Sequence, residues 1–442
     1  MIAKKKSAIP NLPEGFFDIV PEEQKWWYYI WRRANGLLSD YSFMRLDLAP
    51  AEQAETFTRP VATSDPERSK DLAIARSHGH HLALRADIPA SLMRVYLQHA
   101  MQSEPHPVKM FASVPVVSAH RGPSMQWQLG VETIGDDSEA VDAELLFLAC
   151  RILESLNIGT FAVRLNTVGD ALGRTSYVRA LKDFYRQHAK KISARVHAAA
   201  KEHPFRGLRL LAIEDPDLAK DVPQSVDYLS EQARLYFKRL LEFLDEGQVP
   251  YLIDPTLLTD DDYASNTVWE FVLDATSVPT KDNEDGTTGT PLDVAAVPAI
   301  RGGRMDRLAE LMGGPKTPAS GWTMDLGAIV TRLKAKNPTI PEAGTRPKVF
   351  LSQLGDAAKK RSLLLFEEIR KSGIEVRYSL SRDTIKGQLR MAAKLGVRFA
   401  LIFGQKEALE GTVIVREMDT GIQETIPQEK IIDELKKRLK TK

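Results

Sequence analysis

The chain has 442 residues, 43% hydrophobic and 27% charged, with 60 Lys+Arg against 59 Asp+Glu and one cysteine. That length implies about two to four domains with a sizeable core, and the composition excludes a disordered chain. The lone Cys150 excludes an internal disulfide and a cysteine cluster for zinc and points to the reducing cytoplasm, while the absence of a long apolar run excludes a membrane-spanning helix.

The opening MIAKKKSAIPNLPEGFF has a basic tip with no apolar stretch behind it, so it does not read as a secretory signal. EEQKWWYYIWRRANGLLSDY (22–41) predicts a helix with its aromatics on the buried face. LAIARS and HLALRAD flank the turn HGH as a hairpin. His78, His80 and His81 lie at its tip without an Asp, Glu or Cys at ligand spacing, so no metal site is expected. DSEAVDAELLFLACRILESLNIG (137–159) predicts a long helix that starts at an Asp/Ser cap and stops at Gly159. AVRLNTVG follows as a strand, and residues 171–247 read as an inserted helical module. NTVWEFVLD returns to strand, followed by a long polar hairpin loop, TSVPTKDNEDGTTGTPLD. AAVPAIRGGRMDRLAELMGG and GWTMDLGAIVTRLKAK each run from strand into helix. RGGR (301–304) and MGGP (312–315) lack nucleotide-fingerprint spacing and read as tight turns.

A boundary falls in KNPTIPEAGTRPK (336–348), where prolines and a glycine interrupt the periodic patterns. It separates a core of residues 1–345 from a tail of 346–442. The tail alternates strands and helices, which predicts a compact α/β domain with helices packed on a mixed sheet. The two parts differ in charge. Residues 347–442 hold 20 Lys+Arg against 13 Asp+Glu, a net of +7 that leaves −6 for the rest of the chain. Such asymmetry suggests different partners for the two parts. Near-neutrality overall therefore does not exclude a nucleic-acid partner.

Two segments carry polar residues among apolar neighbours: Arg85 and Asp87 in LALRADIPASLMRVYLQH, and Gln126, Gln128 and Glu132 in QWQLGVETIG. Buried charges and amides need partners, and a strand face lining a pocket supplies them. An ordinary solvated strand face is the competing explanation.

The order and wording of these segments resemble the histidyl-tRNA synthetases, class II aminoacyl-tRNA synthetases, along nearly the whole chain. LPEGFFDIVPEE matches the family's opening, and YSFMRLDLAPAEQAETFTR (41–59) resembles its dimer-forming first motif around Pro50. LALRAD stands for L-A-L-R-P-E, and QWQLGVETIG for F-H-Q-x-G-V-E-x-I-G. YLIDPTLLTDDDYASNTVWEF (251–271) stands for the segment containing L-V-R-G-L-D-Y-Y, and RGGRMDRL for G-G-R-Y-D-G-L. TPASGWTMDLGAIV (317–330) stands for the third motif, T-P-x-x-G-F-A-x-G-x-E-R, and the tail resembles the anticodon-binding domain.

The resemblance implies an α+β fold: a class II antiparallel-sheet core with a helical insertion, followed by an α/β anticodon-binding-like domain. It also implies a homodimer and a tRNA partner, with neither a membrane nor a DNA partner. The surviving amino-acid-pocket positions are Asp87, Gln128, Glu132 and Tyr263. The chemistry departs from the family. Its arginines fall on Ser118, Thr259 and Ala328, and its second tyrosine on Ala264. Asp260, Asp261 and Asp262 would bring negative charge toward a site built for a triphosphate and a carboxylate. A preorganised electrostatic donor is worth about 10²–10³ in rate, so these losses together imply little histidine activation.

The leading expectation is a synthetase-like protein that binds tRNA, or acts as a regulatory partner, without efficient aminoacylation. Lys386, Arg390 and Lys394 on one helix face are its candidate tRNA contacts. The first alternative is a divergent, active histidine–tRNA ligase requiring ATP and Mg²⁺, with Arg121, Arg304 or Arg307 contacting phosphate. The second is a regulator of histidine biosynthesis, because LRAD (84–87) also occurs in the synthetase-like regulatory subunit of ATP phosphoribosyltransferase.

Overall fold

The computed structural model describes residues 11–440 except 67, 78, 120–123, 274–297, 337, 339, 341–346 and 380–383. The predicted polar loop 276–293 and the hairpin-tip residue His78 therefore lie outside the described residues. The chain forms two compact units, residues 1–340 and 341–442.

Helix α1 (Gln24–Asp40) buries Trp26, Ile30, Ala34 and Leu38, a stripe at four-residue spacing. Not all its aromatics follow that stripe. Tyr28 and Trp31 point to the other side, 42% and 40% exposed, and stack on each other. Next come β1 (Met44–Arg45), β2 (Ala51–Gln53) and the short α2 (Glu55–Thr58). The predicted hairpin forms from β3 (Ile74–Ser77) and β4 (His80–Leu84), and β2 joins its other edge. Arg85 and Asp87 lie just beyond β4, ahead of α3 (Pro89–Gln98).

Strands β5 (Val108–Ser118) and β6 (Ser124–Ile134) form a long antiparallel pair. Helix α4 (Glu139–Ser155) follows, with the Ser138 hydroxyl accepting the Ala140 N–H as its cap. After β7 (Phe161–Gly169) come helices α5 (Ala171–Gln187), α6 (Ala194–Glu202), α7 (Pro204–Glu214), α8 (Pro216–Lys220) and α9 (Glu231–Glu246). These helices divide between two cores. Helices α5, α6, α7 and α8 share an apolar cluster with Val168 of β7 through Tyr177, Leu181, Val196, Phe205, Leu208 and Leu218. Helix α9 instead puts Phe237, Leu240 and Leu244 into the main core with α1 and α4.

The unit closes with β8 (Tyr251–Ile253), β9 (Ser265–Leu273), β10 (Ile300–Arg304), α10 (Leu308–Leu311), β11 (Ala319–Asp325) and α11 (Leu326–Lys336). Eight strands make one sheet in the order β1-β5-β6-β11-β10-β9-β7-β8. Its pairs are antiparallel except β1/β5 and β7/β8 at the two edges. RGGR is not a tight turn but strand β10. A Cβ at Gly302 would collide with the Trp269 indole and the Gly321 carbonyl, so close strand packing explains the glycine. MGGP does form a turn, with Gly313 at φ +91°.

The second unit orders its strands β13-β12-β14-β15-β16, parallel across β13 (Val376–Tyr378), β12 (Val349–Gln353) and β14 (Phe399–Phe403). Strands β15 (Thr412–Glu417) and β16 (Gln423–Pro427) add antiparallel. Helices α12 (Asp356–Lys371), α14 (Gln405–Glu410) and α15 (Ile431–Lys440) share one core with the sheet, whereas α13 (Ile385–Lys394) packs on a second, smaller one. No helix among the described residues is long and apolar enough to cross a membrane.

Candidate functional site

Side chains alternate across a strand, so register decides which residues share a face. One face of the large sheet packs on α4, where Trp322 donates its indole N–H to the Leu145 carbonyl at 3.0 Å. Register puts Glu132 opposite Gly321, Gln128 opposite Asp325, Arg301 opposite Glu270 and opposite Thr323, and Glu270 opposite Arg164. These polar residues all belong to the other face. There they line or adjoin a cavity of about 510 Å³, a size typical of small-ligand sites.

Asp87, Gln128, Thr259 and Tyr263 line that cavity, together with Arg164, Arg209, Glu270, Arg301 and Thr323. The Asp87 carboxylate accepts the Ala90 N–H at 3.0 Å at the start of α3, and Gln128 donates to Gln126 at 3.1 Å. Thr259 donates its hydroxyl to Asp261 at 2.7 Å. Glu132 is 1% exposed, and among the described residues neither of its carboxylate oxygens has a hydrogen-bond partner. Burial, and secondarily the charge of Asp87, pushes its pKa well above the ordinary carboxylate value. Gly321 opposite it leaves room, since a Cβ there would collide with the Glu132 side chain and the Val131 carbonyl.

Other sequence candidates lie elsewhere. Ser118 is exposed at the end of β5, and Ala328 sits in the first turn of α11. Arg121 lies outside the described residues. Arg307 is exposed and donates to the Asp262 carbonyl at 2.9 Å. Arg85 holds the Leu48 carbonyl of the incoming chain at 2.9 Å and the Pro115 carbonyl of β5 at 2.8 Å.

Arg304 does not have the geometry of a phosphate contact, because its guanidinium has no exposed surface. It bonds Asp306 at 2.9 Å, the Asp136 carbonyl at 2.9 Å, Tyr236 at 3.0 Å and Asp142 at 3.3 Å. Burial alone would lower its pKa, but Asp142 and Asp306 outweigh it and raise the value.

The acidic run also differs from expectation. Asp260 does not face the cavity as an unpaired charge. It accepts from Arg206 and, at 2.6 Å, from Arg209. Burial works the other way, yet these arginines hold its pKa below the ordinary value. Asp262 accepts the Thr63 and Ser64 N–H groups, each at 2.8 Å. Only Asp261 of the three lines the cavity.

Three of the cavity's arginines, Arg164, Arg209 and Arg301, were missed in the sequence. Arg164 bonds Asp254 at 2.7 Å and Glu270 at 3.1 Å. Arg301, 65% exposed at its side chain, pairs with Glu270 at 3.2 Å. The signal that marks Gln128 and Glu132, a polar residue inside an apolar strand, was present for Arg164 and Glu270 too. Arg209 carried no such signal on its helix.

The order of these segments along one sheet matches a known family. A family model described as histidyl-tRNA synthetase matches residues 15–329, and one described as anticodon binding domain matches residues 348–438. The chain belongs to the histidyl-tRNA synthetase family. A protein named histidine–tRNA ligase from Dehalococcoides mccartyi is 31% identical over 97% of this chain and 99% of its own length. A Staphylococcus aureus protein of the same name is 27% identical over 97% of this chain and all of its own. The solved apo histidyl-tRNA synthetase of S. aureus aligns with a TM-score of 0.74 at 25% identity, covering 96% of this chain and 99% of that one. The fold is that of a class II synthetase with an anticodon-binding domain. Of Ser118, Thr259 and Ala328, Thr259 lines the cavity.

Proposed function

We propose that this histidyl-tRNA synthetase family member binds tRNA through its C-terminal unit and does not activate histidine efficiently. One observation carries the reading: each arginine on the described cavity wall is already engaged by a carboxylate. Arg164 holds Asp254 and Glu270, Arg209 holds Asp260, Arg301 holds Glu270, and Arg304 holds Asp142 and Asp306. A developing phosphate charge needs donors preorganised for it, and these are directed at internal acids instead. The same pairing spends Asp254 and Glu270, acids that could otherwise help hold Mg²⁺. The donor set present does not fit ATP and Mg²⁺.

Histidine-dependent ATP–pyrophosphate exchange is therefore expected at least about 10⁴-fold below that of an active ligase assayed alongside. Exchange within tenfold of that ligase would overturn the proposal. It would favour the alternative, an active ligase, which the full-length match to proteins of that name supports. Arg301, the most exposed of the cavity arginines, would then be the first residue to substitute.

Lys386, Arg390 and Lys394 are all exposed on α13, as electrostatic contact with RNA phosphates requires. Replacing the three with glutamine should weaken tRNA binding and reduce the magnitude of its log–log salt slope by about 2–3. Filter binding across a salt series reads both, and an unchanged slope would remove this face from the interface. The assembly proposed for this function is a homodimer through the segment near Pro50. Exposed Tyr28, Trp31 and Met44 support that reading as apolar surface close to it in sequence.

A further inference from the structure

Three separate pieces of the chain converge on the turn 260–264. From α7, Arg206 and Arg209 both bond the Asp260 carboxylate, which is 8% exposed, and Arg206 also donates to the Ser64 carbonyl at 3.2 Å. From α5, Arg174 donates to the Ala264 and Asp261 carbonyls at 3.0 and 3.1 Å. From the segment after α2, the Thr63 and Ser64 N–H groups both donate to Asp262.

Apolar packing also crosses this seam, since Leu258 and Val268 belong to the cluster of α5, α6, α7 and α8. Such packing is non-directional and permits sliding. Arginine–carboxylate bonds are directional and fix where a helix stops. Where α7 stops matters, because it brings Arg209 and Ile213 onto the cavity lining. We propose that Asp260 latches the helical module α5–α8 over the cavity, so that α7 is its outer wall and the module its gate. Asp260 acts here as a positioning residue, through Arg206 and Arg209.

Hydrogen exchange of the full chain, read by mass spectrometry, tests the latch. With Asp260→Asn, amides of residues 204–214 and 257–264 should exchange about tenfold faster or more, while those of β5 and β6 keep their protection. Asp260→Glu should retain most of the protection. The pair Arg206→Gln and Arg209→Gln should reproduce the asparagine result without adding to it. Unchanged exchange in Asp260→Asn would overturn the proposal. So would acceleration spread evenly through β5 and β6, because that is general loss of the fold and not opening of a gate.

Discussion

Replacing Arg304 with alanine should lower the stability of the first unit by about 3–5 kcal/mol, the cost of leaving a buried acid without its counter-ion. Arg304 and Asp142 are both without exposed side-chain surface. Asp142 also accepts from Tyr236 at 2.9 Å, from Ser320 at 2.7 Å and from Thr267, and these donors favour its ionised form. Burial nevertheless raises the Asp142 pKa above the ordinary value, so without the guanidinium the carboxyl is left either charged in a medium that cannot solvate it or forced to take up a proton. Asp306 loses the same partner, keeping the Ser265 hydroxyl at 2.6 Å and the Ala319 N–H at 3.1 Å. Arg304→Lys should fall between the wild type and alanine, because an ammonium keeps the charge but not the planar fork. Tryptophan fluorescence during urea unfolding isolates this unit, since all six tryptophans precede residue 341. A loss below about 1 kcal/mol would refute this account of the network.

The same arginine shows what a sequence does and does not disclose. RGGRMDRL identifies a family segment, but the residue type alone does not distinguish an arginine held for phosphate from one buried under a strand. That distinction rests on Asp142, 162 residues away in sequence. The elements were more legible where local physics decides them. Ser138 followed by an apolar stripe predicts α4, and the prolines of 336–348 mark the end of regular pattern. Helix α14 and strand β16 escaped because one has six residues and the other buries only Ile426 of five, too little for either period to register. In α1 the aromatics are dense enough to suggest a buried face, yet Tyr28 and Trp31 lie off the stripe at 24–40. Asp87 and Gln128 could be placed at the cavity from sequence because polar groups among apolar neighbours need a reason to be there. Asp260 could not. Its partners come from a helix more than fifty residues earlier, and the expectation of repulsion assumed none.

The other large effect depends on pH, through Glu132. Burial first, and Asp87 second, raise its pKa in the folded chain above the unfolded value. Below the unfolded carboxylate range both states hold the proton, and Glu132 adds no pH dependence. Above that range the unfolded chain releases the proton while the native chain keeps it. Stability then falls as pH rises, by about 1.4 kcal/mol per pH unit while the native proton is held, and levels off above the native pKa. Glu132→Gln removes the titration and should flatten that component of the curve, whatever it does to absolute stability. Urea unfolding followed by tryptophan fluorescence between about pH 5 and 8 makes the comparison on a unit with its own reporter. Wild type and Glu132→Gln should diverge progressively with rising pH, the wild type losing more. Parallel curves would mean that the Glu132 carboxylate finds a partner in the native protein, and its raised pKa would have to be abandoned. A cationic ligand reaching Glu132 would supply such a partner, so saturating amounts of it should narrow the gap between the two curves and release a proton on binding.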